Sequence, residues 1–155
     1  MSGLLQNAYF IPSISITVLL IALFIFFRAT MKKKILKAAM KMREFLQNGN
    51  HVIQIQPVVC TSYGYESNTL DGRVSGLFAV SNQAFLFQPF SKTGDLVVIP
   101  RDPVTKVSTT KTFEDVPVNL SRAKFLVIEP GDERRIGFLM KQAEEVQKQL
   151  ASTAA

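Results

Sequence analysis

The residues of this 155-residue chain best equipped for chemistry are one histidine, one cysteine and three acidic pairs. His51 has no serine or cysteine motif beside it to form a nucleophile and base. Cys60 lies in the apolar run Pro57-Val58-Val59-Cys60 and reads as a small buried hydrophobe rather than a nucleophile. The pairs Glu114-Asp115, Asp132-Glu133 and Glu144-Glu145 are sequence neighbours in turns or on a helix face, where solvation explains them. No His, Cys and carboxylate cluster has metal-ligand spacing, and no glycine-rich loop is arranged to cradle phosphate. Asn119-Leu120-Ser121 fits the glycosylation sequon and reads as chance on the topology inferred below. The expectation is a protein that is not an enzyme, with no cofactor and no metal.

Positive charge is the other chemical resource, and it is confined to one place. The chain carries 18 bases and 12 acids, for a net charge of +6. Residues 1 to 27 have no charged side chain. Residues 28 to 44 hold seven bases, Arg28, Lys32, Lys33, Lys34, Lys37, Lys41 and Arg43, against Glu44 alone. That segment accounts for the whole excess, because residues 45 to 155 hold eleven of each sign. Without interleaved stacking aromatics, a nucleic-acid partner is not indicated. A single cysteine rules out a disulfide scaffold.

The elements that must position these bases start with the charge-free stretch. Residues 1 to 8 read as a short extracytoplasmic N-terminus. From Tyr9 to Phe27 the chain reads YFIPSISITVLLIALFIFF, and 19 residues of helix reach about 28 Å, enough for a bilayer core. A transmembrane helix over 9–27 is therefore expected, with Tyr9 and Phe10 as interfacial anchors. With the bases on its C-terminal side, a single-pass membrane protein would keep its N-terminus outside and residues 28 to 155 in the cytoplasm. Residues 28–48 form a basic amphipathic juxtamembrane helix. Ile35, Ala39, Met42 and Leu46 make an apolar stripe and Lys33, Lys37 and Lys41 repeat at i, i+4, with a stop at Asn48-Gly49-Asn50 where glycine takes the C′ position. The seven bases would contact lipid headgroups at the membrane surface, each worth about 1 kcal/mol near anionic lipid, or set topology while the stripe packs on the next domain. The two roles are compatible.

Beyond Gly49 the period becomes that of strands. His51 to Thr61, Val74 to Val80, Ala84 to Gln88, Leu96 to Ile99, Val104 to Thr112, Lys124 to Glu129 and Arg135 to Met140 alternate or run apolar. Turn signals at Asp71-Gly72, Ser81-Asn82-Gln83, Lys92-Thr93-Gly94-Asp95 and Pro130-Gly131 divide them, the last as a type II turn. Pro57 inside the first run predicts an edge strand or a bulge. Lys141 to Leu150 is helical, with Ala143, Val146 and Leu150 on one side, and residues 151–155 are a small-residue tail.

The segment Gly76-Leu77-Phe78-Ala79-Val80-Ser81-Asn82-Gln83-Ala84-Phe85-Leu86-Phe87 resembles the hairpin of the GRAM-like branch of the pleckstrin-homology superfold. Val97-Val98-Ile99-Pro100 and Val104-Thr105-Lys106-Val107 are similar to its next steps, although Ala84 stands where an arginine is common. The resemblance covers about residues 50 to 150. It implies a mainly-β (α+β) barrel of about seven antiparallel strands closed by a C-terminal helix, over residues 49–150, and binding rather than catalysis. The basic loop motif for inositol phosphates is not recognisable, and Arg73 and Lys92 are the loop bases left as possible contacts.

The favoured expectation is thus a single-pass adaptor presenting a PH-like domain at the cytoplasmic membrane face, for protein recruitment or for binding anionic headgroups. The alternative is a structural accessory subunit of a larger membrane complex, with Ser13, Ser15 and Thr17 offering small polar contacts to another helix. A membrane-tethered enzyme has no visible residues to run on. The partners expected are anionic membrane lipids and another membrane or cytoplasmic protein.

Overall fold

A computed structural model describes residues 3–64, 73–91, 94–118, 122–131 and 135–153, with the side chains of 3–15 and 153 left out. Tyr9, Phe10, Ser13, Ser15, the Asp71-Gly72 turn, Lys92-Thr93, the sequon at 119–121 and Asp132-Glu133 lie outside the described side chains or residues. The chain divides into two compact units, Met1–Leu36 and Lys37–Ala155.

The first unit is the N-terminal part of α1 (Gly3–Asn48). From Ile16 to Phe27 every residue is exposed, the large apolar ones by 54% to 71%. Among the described residues no helix is long and apolar enough to cross a membrane. This overturns the expected transmembrane helix over 9–27, and with it the single-pass placement of an outside N-terminus and a cytoplasmic domain.

The second unit begins with the last turns of α1, where Ala38, Met42 and Leu46 are buried. Lysine, alanine, methionine and leucine favour this helix, and its end is a Schellman cap. The His51 N–H donates to the Leu46 carbonyl at 3.1 Å, and the left-handed residue is Asn50 (φ 53°) rather than Gly49. Gly49 is needed for room. A Cβ there would lie 2.4 Å from Cδ2 of His51, whose ring stacks on Phe45 at 5.2 Å.

Nine strands follow: β1 (Ile53–Tyr63), β2 (Val74–Ser81), β3 (Ala84–Pro89), β4 (Val97–Pro100), β5 (Lys106–Thr110), β6 (Thr112–Phe113), β7 (Val116–Pro117), β8 (Lys124–Glu129) and β9 (Ile136–Met140). Helix α2 (Ala143–Thr153) ends the chain. Seven strands make one antiparallel sheet in the order β4-β3-β2-β1-β9-β8-β5, and β6 and β7 form a separate hairpin. The sheet is not closed. β4 and β5 are successive in the chain yet stand at opposite edges, so the expected barrel closed by a helix is corrected to an open seven-stranded sheet. α2 packs on β5 and β8 instead of completing a ring.

Burial follows the strand period. Phe78, Val80, Phe85, Phe87, Leu126 and Phe138 lie in the main core with Ala143, Val146 and Leu150 of α2. Leu77, Ala79 and Leu86, which alternate with these, are buried too. Pro57 sits in a central strand, tolerated because the β1–β2 register shifts between Ile55 and Val58. The β2–β3 turn is held by Ser81, whose buried Oγ accepts from the Ala84 N–H (2.9 Å) and donates to the Ala84 carbonyl (3.0 Å). Gly131 does not take the left-handed backbone that a type II turn at Pro130-Gly131 would need.

Candidate functional site

The residues with catalytic potential are scattered. His51 belongs to the cap of α1. Cys60 faces the main core, and burial pushes its thiol well above the ordinary range, which removes the thiolate a nucleophile needs. Glu114 and Asp115 form the exposed left-handed turn between β6 and β7. Glu144 pairs with Lys124, and Glu145 is exposed. Among the described residues no group of three His, Cys, Asp or Glu is placed to hold a metal ion.

The expected basic residues keep their solvent access. Arg28, Lys32, Lys33 and Lys34 in the first unit are exposed, as are Lys37, Lys41 and Arg43 in the second. Lys33, Lys37 and Lys41 succeed one another at i, i+4, so they share a side of α1 that excludes the buried residues Ala38, Met42 and Leu46. The buried stripe differs by one position from expectation: Ala38 is buried, while Ile35 and Ala39 are half-buried. Exposed Leu36 and Met40 accompany the lysines. Of the two loop bases, Lys92 lies outside the described residues, and Arg73 sits 5.1 Å over the Tyr63 ring. That cation–π contact occupies Arg73 locally.

A cavity of about 410 Å³ was not foreseen. It lies in the second unit, among the β2–β3 turn, the connection between edge strands β4 and β5, and α2. Phe85, Val107 and Leu150 supply apolar wall. Asn82, Arg101, Asp102, Thr105 and Gln147 supply the polar groups. The walls are tied together. The Arg101 N–H donates to the Gln83 carbonyl at 2.8 Å, anchoring the β4–β5 connection on the β2–β3 turn. Gln147 is fixed at both ends, accepting from Thr109 Oγ1 (3.0 Å) and donating to the Val107 carbonyl (3.4 Å). The sequence signal was the run Pro100-Arg101-Asp102-Pro103, which reads only as a turn until the open seam between β4 and β5 is known.

Comparison of the chain with protein families, with curated proteins and with solved structures finds no match.

Proposed function

We propose that the chain is a non-enzymatic binding module, a mostly-β domain of pleckstrin-homology or GRAM-like kind whose basic helix meets anionic lipid headgroups. The observation that carries the reading is the exposure of all seven bases between Arg28 and Arg43, with Lys33, Lys37 and Lys41 on a side of α1 free of its buried stripe. Lys33 and Lys37 have no acidic residue within a turn, and lysines so placed attract a surface of opposite charge, an attraction that fades within a Debye length. The antiparallel succession of strands followed by α2 is in keeping with the family resemblance. The reading requires no crossing of the bilayer.

Vesicle flotation of the full chain tests it. Binding is expected to vesicles of phosphatidylcholine containing phosphatidylserine and not to phosphatidylcholine alone, and to weaken as salt rises. A variant with Lys33, Lys37 and Lys41 all changed to Gln should lose most of that binding. Equal flotation with neutral vesicles, or an unaffected triple variant, refutes the reading.

One observation favours a second reading, an accessory subunit of a larger protein assembly. Ile16 to Phe27 exposes apolar side chains on every side rather than along one stripe, and exposed apolar surface of this extent marks an interaction site. Sizing after gentle lysis decides it: a stoichiometric assembly with another protein supports the subunit, and a chain that migrates alone counts against it.

A further inference from the structure

We propose that the cavity between the β4–β5 connection and α2 binds a small organic monocarboxylate carrying an apolar group. Its volume of about 410 Å³ falls in the range of small-molecule sites. The lining divides into two parts. Phe85 and Leu150 are buried core residues that turn one side of themselves to the cavity, and half-buried Val107 joins them. They offer a surface for a ring or a short chain. Arg101 and Asn82 offer hydrogen-bond donors for an anion.

Both donors are oriented by other groups. The Asn82 side chain accepts the Val52 N–H through Oδ1 at 3.1 Å, which assigns the remaining end of that amide as the donor NH2. Arg101 Nη1 donates to Gln54 Oε1, which holds the guanidinium with one of its five N–H groups. The connection beneath them is tight, because the Thr105 N–H donates to the Asp102 carbonyl at 2.9 Å and Thr105 Oγ1 accepts the Asp102 N–H at 3.3 Å. Gln147 spends both ends of its amide on β5 and acts as wall.

Charge selects the ligand class. Among the described lining residues Arg101 is the one base and Asp102 the one acid. A phosphate dianion would meet a single guanidinium and an opposing carboxylate, whereas a monocarboxylate matches the planar fork of arginine and meets less repulsion.

Calorimetric titration of the full chain with phenylacetate and with its neutral amide, phenylacetamide, tests the assignment. Phenylacetate should bind with a dissociation constant on the order of millimolar, as befits about ten heavy atoms, and the amide about tenfold more weakly. Arg101→Gln should weaken phenylacetate about tenfold and leave the amide unchanged. Asp102→Asn, which removes the one acid among the described lining residues, should tighten phenylacetate about twofold. Absence of phenylacetate binding, equal affinity for acid and amide, or indifference of phenylacetate to both substitutions overturns the proposal.

Discussion

Two apolar stretches meet opposite fates in this chain. Ile16 to Phe27 is exposed throughout, while Phe78 to Phe87 is buried at every position except the turn residues Asn82 and Gln83. Composition does not separate them. The second stretch alternates its side chains across a pleated sheet, so each face finds a partner: Phe78 meets Phe138 at 4.8 Å, and Phe87 meets the same ring at 5.4 Å. The first stretch is helical and apolar all round, so no single face of a domain can cover it. Apolarity becomes stability only where the periodicity of the element matches a surface that can receive it.

The largest expected effect follows directly. Phe78→Ala removes a fully buried ring from the main core and should cost about 3–5 kcal/mol. Phe24→Ala, at a position 63% exposed, should change stability by less than about 0.5 kcal/mol. Urea unfolding of both variants, followed by the β-sheet signal, checks the contrast. Equal losses would mean that the exposed run is covered in the free protein and would erase the distinction.

How much of this was legible beforehand depended on whether the signal was local. The seven strands of the sheet, α2 with Ala143, Val146 and Leu150 inward, and the end of α1 near Asn48 all announce themselves through period and turn residues. Closure could not be read, because whether β4 meets β5 is decided by sheet coiling and not by either strand's residues. The cavity follows from that open seam, and for the same reason it was invisible. The apolar run misled because 19 uncharged residues in the sequence suggest a span by hydropathy alone, whereas among the described residues no helix is long and apolar enough to cross a membrane. The caps failed in a smaller way. Gly49 was expected to supply a left-handed backbone, but Asn50 does so and Gly49 makes room for a ring.

A smaller effect sharpens the same contrast with hydroxyl groups. Ser81 Oγ, fully buried in the hairpin turn, bonds both the N–H and the carbonyl of Ala84. Ser81→Ala leaves those backbone groups without their partner and should cost about 1–2 kcal/mol. Thr30 on α1 also donates to a carbonyl, that of Phe26 at 2.9 Å, but at an exposed site where water replaces the bond. Thr30→Ala should therefore be nearly neutral, and thermal unfolding of the two variants side by side measures the difference.

The smallest effect belongs to the exposed pair of Lys124 and Glu144. The hydrogen bond from Lys124, aided by its charge, holds the Glu144 carboxyl below the usual carboxylate range, against a minor opposing contribution from desolvation. A carboxylate depressed in the folded state adds stability that is present above its unfolded value and is lost as pH falls through its folded one. Glu144→Gln should thus lower the melting temperature slightly at pH 7, and the deficit should shrink as pH falls through the carboxylate range. Because both side chains are solvated, the coupling is weak and salt should erase it. A double-mutant cycle with Lys124→Gln, run at low and high salt, resolves it. A coupling as large as the loss on Ser81→Ala would show that solvent does not weaken this contact, and burial would then not be what separates the strong interactions of this chain from the weak ones.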